Sequence, residues 1–384
     1  RAFRSSVAFL IQPGKHMIVD EQTVEGDEEL EGEVSSDDEV IPPIAYDVTS
    51  YGSDPEVESL VSRLRRGDII IPPFQRDYVW RQPEASKFVE SLLLGLPVPG
   101  IFFAVDPVSN KQLVIDGQQR LKTLLYFYDG YFNPKITDKT RRVFTLTKVQ
   151  KIFDGKTYKT LDEPDRIRLD TSIIHATTVK QSMPEGDDTS LYHIFERLNS
   201  GGRRLTDQEM RIALYHGELI ERIRELNLAP QWRKVFGKVH TRLKDQELIL
   251  RFFALLEDQS KYQRPLAEFL NKYAGRNRKP PAAHLNKISN LFLQTIDTFQ
   301  ASSIERLFRP TKSLNVAVYD SCMIGMAHRI TANPDKRPDP KLVATAYRSL
   351  FHDSEYSEAV SRSTADAVFV QRRIQKAIKA FSEC

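Results

Sequence analysis

One run of the sequence places an acidic, a basic and a hydroxyl side chain around a glycine, a combination typical of anion-binding sites. Directly after the apolar pair Val114-Ile115 comes the segment Asp116-Gly117-Gln118-Gln119-Arg120-Leu121-Lys122-Thr123. Where an apolar strand ends and a helix begins, free backbone amides lie at the positive end of the helix dipole, and such amides bind anions. Arg120, Lys122 and Thr123 would add positive charge and a hydroxyl. The alternative is an ordinary helix start that Asp116 caps and water solvates.

A second run, residues 71–80, sets Gln75 and Arg76 between aromatic residues just after two prolines. A turn stiffened by proline that presents a planar amide and a guanidinium is suited to recognise a phosphate or the edge of a base. The alternative is a purely structural loop whose aromatic side chains hold it in the core.

A third run, residues 195–205, contains Asn199 and Ser200, then two glycines and the basic pair Arg203-Arg204. A Gly-Gly turn with free amides beside two arginines can contact phosphates. The alternative is a helix end with a glycine cap, followed by a basic pair in solvent.

These runs must be positioned by the elements around them, and the first half of the chain alternates short strands with helices. Apolar periodicity, prolines and glycines predict helices from Asp54-Pro55 to Gly67, over about residues 84–94, and directly after Asp116. Strands are predicted over residues 69–71, 100–105, 112–115, 143–146 and 172–179.

From about residue 190 the pattern is mostly helical. Thr206 and Glu209 form a capping box, and amphipathic helices are predicted over residues 248–256, 288–299, 316–330 and 365–381. The sequence therefore predicts an α+β fold. A small α/β domain over residues 51–215 is followed by a mostly α-helical domain over residues 216–384.

The net charge of +3 conceals a separation of charge along the chain. Residues 18–61 contain fifteen acidic residues and no Lys or Arg, whereas residues 63–384 carry 52 basic and 37 acidic residues. We expect residues 1–50 to be a disordered acidic leader, and the basic body to bind a polyanion. A leader that folds back on the body would compete with DNA and inhibit its binding at low salt.

Taken in order, the three runs resemble a known family. Phe74-Gln75-Arg76-x-Tyr78-x-Trp80, then Asp116-Gly117-Gln118-Gln119-Arg120-Leu121, then Phe195-x-x-x-Asn199-x-Gly201 resemble the N-terminal domain of GmrSD-type, modification-dependent restriction endonucleases. The resemblance covers about residues 51–215. It implies a ParB/sulfiredoxin-like fold and a module that binds and hydrolyses a nucleoside triphosphate, of unspecified base, in defence against phage DNA.

The resemblance also implies roles for single residues. Asp116 and Arg120 would be catalytic, and Asp116 would hold Mg²⁺ or orient water. Gly117, Gln118 and Gln119 would bind the nucleotide with them, Gln75 and Arg76 would support the site from the same cleft, and Asn199 would have a lesser role. Lys122 and Thr123 are added to the nucleotide-binding residues for their charge and hydroxyl and not by the resemblance. Lys122 departs from relatives, which commonly carry Thr there. Because the chain has no Walker A sequence, its hydrolysis would not be of the P-loop kind.

Relatives usually pair this domain with a His-Asn-His nuclease, and none of the eight histidines here has metal-ligand spacing. We therefore expect DNA, modified or not, and a separate nuclease subunit as partners. Two alternatives stay open: a non-catalytic, nucleotide-gated DNA-binding protein of the ParB type, and a ParB-like nuclease.

The helical half has three basic clusters: Arg233-Lys234, residues 276–279, and a stripe of Arg372, Arg373, Lys376 and Lys379. Such a stripe suits a phosphate backbone, and a solvated helix face is the alternative. No uncharged stretch is long enough to span a membrane, and two cysteines cannot form a disulfide framework. A cytoplasmic location is predicted.

Overall fold

The structure, a computed structural model, describes residues 30–31, 47–71, 78–106, 109–133, 141–183, 192–194, 197 and 205–384. The first part of this chain contributes the strands β1 (Asp47–Ser53), β2 (Ile69–Ile70), β3 (Ile101–Val105), β4 (Gln112–Asp116) and β5 (Ala176–Met183). Its helices are α1 (Val57–Arg66), α2 (Gln82–Leu93), α3 (Gln118–Asp129) and α4 (Glu163–Asp170).

The strands form one mixed sheet in the order β1-β5-β3-β4-β2. β1 is antiparallel to β5 and β3 is antiparallel to β4, whereas β5 pairs with β3, and β4 with β2, in parallel. The register shifts between Phe102 and Phe103, and Phe102 lies opposite Asp116. The last residue of β4 is therefore held against the central strand of the sheet.

Both faces of the sheet are buried. Ile101, Phe103 and Val114 pack against α1–α4 on one face. Ala104 and Leu113 belong to the core of the helical region on the other face. Because β3 and β4 are covered on both sides, their sequences are nearly continuous apolar runs.

The helical region shares this second core with the sheet. It consists of α5 (Asp207–Leu214), α6 (Glu218–Asn227), α7 (Pro230–Phe236), α8 (Lys244–Asp258), α9 (Leu266–Arg276), α10 (Ala282–Ala301), α11 (Val316–Ala332), α12 (Pro340–Leu350), α13 (Ser354–Ser361) and α14 (Ala367–Phe381). None of the described helices is both long and apolar enough to cross a membrane. The predicted α+β class is confirmed.

Most predicted elements are confirmed to within a few residues, including β2, β3, β4, α3 and the four amphipathic helices of the second half. The capping box is also present, because Thr206 and Glu209 bond reciprocally at the start of α5. Gly67 ends α1 with φ 74°, a conformation that favours glycine.

Three local predictions are wrong. Residues 143–146 do not form a strand, because Val143 makes a single bridge to Tyr131 and the next residues turn into the core. The strand predicted from residue 172 begins at Ala176. α1 starts after Glu56, since Glu56 is extended and bridges Ile173.

The acidic leader lies mostly outside the described residues, which within it are 30–31 and 47–50. Leu30 packs against the core of the helical region. Glu31 exchanges backbone hydrogen bonds of 2.9 Å with Leu314 and Val316, and its carboxylate accepts from the Thr311 hydroxyl. β1 begins at Asp47, inside the segment assigned to the leader. Glu31 of the leader is thus hydrogen-bonded to the segment at the start of α11, and Leu30 packs beside it.

Candidate functional site

Asp116 and Arg120 form an ion pair at the junction between β4 and α3. The Arg120 Nη2 atom donates to Asp116 Oδ2 at 2.6 Å. The Asp116 side chain is 53% exposed and that of Arg120 is 13% exposed, so the carboxylate faces solvent while the guanidinium lies beneath it. The buried Nε atom of Arg120 has no hydrogen-bond partner among the residues that the structure describes. An ion pair this open contributes little to stability and can be rearranged by an incoming anion.

Gly117 is the residue that turns the chain from strand into helix. Its φ of 98° lies in the left-handed region, and it is the N-cap residue of α3. A Cβ atom here would lie 3.0 Å from Ile101 Cγ1 and 3.3 Å from Arg120 Nη2. The turn is therefore tight, and it brings the helix start close to β3 and to the ion pair.

The interpretation of Asp116 as the helix cap is wrong. The cap position is Gly117, which has no side chain that could cap α3. Asp116 stays in the strand and pairs with Arg120 instead. The start of a helix, where the dipole is positive, favours an anion.

Gln119 joins the first run to the second. Its Oε1 atom accepts hydrogen bonds from the backbone amides of Val79, at 3.1 Å, and Trp80, at 3.5 Å. Gln75 and Arg76 lie outside the described residues. The described end of their run nevertheless lies against α3, one turn from the ion pair.

Thr123 strengthens that joint from inside the protein. It is fully buried, and its hydroxyl lies 2.7 Å from the Tyr78 hydroxyl and donates to the Gln119 carbonyl at 2.7 Å. Burial raises the pKa of the Tyr78 phenol above its ordinary value. Thr123 therefore positions Tyr78 and does not reach the surface. Gln118 and Lys122, in contrast, are partly exposed. Asn199 and the Gly-Gly turn lie outside the described residues.

The same end of the sheet carries an acid–histidine pair that the sequence did not reveal. His175 Nδ1 lies 2.8 Å from Asp54 Oδ1, and both side chains are exposed. The two residues are 121 positions apart. Their proximity depends on the pairing of β1 with β5, and no spacing within either segment signals it.

A metal ion would find few protein ligands here. No group of three or more His, Cys, Asp or Glu residues that could hold a metal ion occurs within the described ranges. Mg²⁺, however, is commonly held by one or two carboxylates together with substrate phosphates. The exposed carboxylate of Asp116 fits that mode of binding.

The basic stripe predicted on α14 is wrong for Arg373, which does not lie on the surface. Arg373 is fully buried and lies 3.4 Å from buried Asp320. Lys376 and Arg372 lie against acidic partners, as do three cationic residues of the other clusters: Lys376 with Asp353 and Glu355, Arg372 with Glu358, Arg233 with Asp245, Arg276 with Asp258, and Arg278 with Asp106. A count of cations from the sequence therefore includes residues whose charge the fold pairs with a carboxylate.

Residues 57–216 match the family model described as GmrSD restriction endonuclease, N-terminal domain. The match begins with α1 and ends just after α5, and it includes all three runs. It confirms the resemblance that those runs carry. No curated protein matches the chain.

Proposed function

We propose that the chain is the nucleotide-handling part of a modification-dependent restriction system, because residues 57–216 match the family model of the GmrSD restriction endonuclease N-terminal domain. The domain points to a restriction or defence system, and the nucleotide chemistry is the finer part of the proposal. In this system the module binds a nucleoside triphosphate and hydrolyses it. The predicted location is the cytoplasm.

The observation that carries the proposal is the Asp116–Arg120 pair at the start of α3, whose N-cap is Gly117. The positive end of the helix dipole would favour the negative charge of the phosphates at this place. Gly117 lets them approach the backbone. Arg120 donates one hydrogen bond to Asp116 and would donate another to the phosphate that is being transferred. This charge-assisted bond would strengthen as negative charge develops on that phosphate.

Asp116 has two tasks in this proposal. It holds the guanidinium of Arg120 in place, and its exposed carboxylate would bind the Mg²⁺ that accompanies the triphosphate. The bound ion would neutralise charge on the phosphate oxygens.

The remaining predicted residues divide into two groups. Gln118 and Lys122 are partly exposed near the helix start and would contact the nucleotide, with Gln75, Arg76 and Asn199 joining from the neighbouring runs. Gln119 and Thr123 instead hold residues 78–80, the described end of the second run, through their hydrogen bonds. DNA and a separate nuclease subunit complete the proposal as partners.

The test is phosphate release from each of the four ribonucleoside triphosphates with Mg²⁺, with and without modified DNA. We expect Asp116→Asn and Arg120→Gln to lower turnover about 10²–10³-fold, the usual effect of losing one transition-state donor. A matched control exists at the other end of α3, where Arg65 pairs with Asp129 at 2.5 Å and both side chains are exposed. Arg65→Gln should leave turnover unchanged.

Each other outcome favours a named alternative or removes the proposal. Nucleotide-dependent DNA binding without phosphate release would favour the non-catalytic ParB-type protein. Metal-dependent nicking of plasmid by the purified chain alone would favour the ParB-like nuclease. Absence of both binding and turnover with all four nucleotides would sink the proposed function.

A further inference from the structure

The pair formed by Asp54 and His175 has the geometry of an oriented base. The Asp54 carboxylate lies 2.8 Å from His175 Nδ1. A carboxylate at Nδ1 fixes the tautomer and the direction of the imidazole, so that Nε2 becomes the atom that accepts a proton. The imidazole is 62% exposed and its partner 64%, so solvent and ligands can reach the ring.

The register of the sheet places this pair beside the Asp116 run. Ser53 and Ile101 both lie opposite Ala176, and the backbone amide of Ile101 donates to the His175 carbonyl at 2.8 Å. Ile101 is also the residue whose side chain abuts Gly117. Strands β5 and β4 are separated only by β3, and two strand spacings amount to about 10 Å. A phosphoryl group together with its attacking water would fit between the guanidinium of Arg120 and the imidazole of His175 at that separation.

Two glycines make room for His175 at this edge. A Cβ atom on Gly52 would lie 3.1 Å from His175 Cε1, and one on Gly100 would lie 2.8 Å from the His175 carbonyl oxygen. Side chains at these positions would displace the ring and the strand that carries it. The close approach of three chain segments keeps the imidazole at the end of the sheet.

Stability does not explain the pair. Exposed ion pairs contribute about 0–1 kcal/mol to stability. His284 is a useful contrast, because its Nε2 atom lies 2.8 Å from Glu257 Oε1 in the helical region, away from the sheet. The carboxylate there faces Nε2 instead of Nδ1, and Glu257 is only 22% exposed.

We propose that His175, oriented by Asp54, is the general base of the nucleotide site, an inference that rests on the proposed function. His175 Nε2 takes a proton from the attacking water. The water oxygen bonds to the γ-phosphorus, and the bond from that phosphorus to the β,γ-bridging oxygen breaks. The nucleoside diphosphate leaves with the electron pair, inorganic phosphate forms, and the proton passes from His175 to solvent.

The test compares kcat, KM and the pH dependence of kcat/KM in His175→Gln, Asp54→Asn and the control His284→Gln. Loss of a general base lowers kcat about 10²–10⁴-fold, and we expect this in His175→Gln with KM within about twofold of the original. The original protein should lose activity at acidic pH, because a general base that has taken up a proton cannot accept another. His175→Gln should lack this acid limb.

Asp54 is a positioning residue, so its substitution has a different signature. Asp54→Asn should lower kcat about tenfold and keep the acid limb, because the imidazole is still present. His284→Gln should match the original protein in every measurement. Thermal unfolding of each variant, with His175→Asn as a second substitution, identifies any that fail to fold.

The failures can be told apart. If the original protein turns over nucleotide and Asp116→Asn abolishes it, but His175→Gln keeps its rate and its acid limb, the assignment of His175 is overturned and the nucleotide site stands. A His175→Gln variant that raises KM and leaves kcat unchanged also overturns it, since that residue would only bind. If the original protein has no turnover with any nucleotide, both proposals fall.

Discussion

Two of the described arrangements of aspartate with arginine differ strongly in burial. At the end of the sheet, Asp116 pairs with Arg120 and its carboxylate is half exposed. In the helical region, Asp320 on α11 is fully buried between Arg251 and Arg373. Aspartate and arginine therefore form part of the candidate site in one region and part of the buried core in the other. Exposure, and not residue type, decides which pair a ligand can use.

The buried arrangement is stabilised from several sides. Arg251 Nη2 lies 2.5 Å from Asp320 Oδ2, and Arg373 donates to the Thr364 carbonyl at 2.6 Å. Burial by itself would lower the pKa of Arg251, but the charge of Asp320 raises it above its ordinary value. The carboxylate thus keeps two buried cations compatible with the core.

Asp320→Asn should have the largest effect on stability. It leaves Arg373 without its acidic partner and Arg251 with only Glu247, at 4.0 Å. Removal of one partner from a buried pair costs about 3–5 kcal/mol. We expect the free energy of unfolding, measured by urea denaturation, to fall by that amount. Asp116→Asn, the same chemical change at the exposed pair, should cost less than about 1 kcal/mol. Equal costs for the two variants would erase the distinction between the regions.

Gly117→Ala should have the next largest effect, because the exposed pair depends on a strained and crowded turn. An alanine at φ 98° is strained, and its Cβ would press on Ile101 and Arg120. Together these cost about 1–3 kcal/mol, and we expect nucleotide affinity to fall at least tenfold as the helix start shifts.

Gly130→Ala is the matched control for that turn. Gly130 ends α3 with φ 83°, and a Cβ atom there would meet nothing within 4 Å. The difference between the two variants isolates the crowding at Gly117. A loss of stability at Gly130 as large as at Gly117, with nucleotide affinity kept in both, would show that only backbone strain matters at the helix start.

The sequence was most informative where the signal is local. The glycine that ends α1 and the Thr206–Glu209 capping box are each fixed by the chemistry of a few neighbouring residues. The Asp116 run was recognisable as a strand–helix junction for the same reason. Its capping was misjudged, because whether Asp116 bonds an amide or Arg120 depends on the left-handed turn at Gly117.

What the sequence could not reveal is pairing across long separations. The sequence placed Arg373 in an exposed stripe, because nothing within α14 indicates that its partner is the buried residue Asp320. The Asp54–His175 pair joins residues 121 positions apart and exists only because β1 pairs with β5. Charge counts along a chain therefore overestimate the charge that a fold presents to a partner.

Asp106 tests a case intermediate between the two regions. Its carboxylate accepts from Arg278 at 2.6 Å and from Ser109, where β3 meets the helical region. Burial would raise the pKa of Asp106, but the bonds from Ser109 and Arg278 outweigh it and lower the pKa. A carboxylate with a lowered pKa stabilises the fold above its unfolded pKa of about 4, and this contribution is lost as the pH falls through its folded value.

Asp106→Asn should therefore cost about 1 kcal/mol at pH 7 and progressively less at acidic pH. Unfolding free energies measured from pH 7 to pH 3 should converge for the two proteins. A constant difference across that range would mean that the charge of Asp106 contributes nothing, and that this junction behaves as an exposed pair.

The smallest effect is expected from removing two partly exposed cations of α14, Arg372 and Lys376. Lys376 lies within 2.7 Å of both Asp353 and Glu355, and its bonds lower the pKa of each carboxyl group. Arg372 lies 3.4 Å from Glu358. Because acidic neighbours already neutralise these cations, Arg372→Gln with Lys376→Gln should change DNA affinity less than about twofold and leave its salt dependence unchanged.

The reverse substitution makes this expectation two-sided. Asp353→Asn with Glu355→Gln releases Lys376 from both carboxylates, so DNA affinity should rise at low salt and the slope of log affinity against log salt should steepen by about 1. If removing the cations instead weakens DNA binding tenfold, the stripe is a DNA-binding surface despite its pairing. Burial would then not be the property that separates the charged residues that bind a ligand from those that only stabilise the fold.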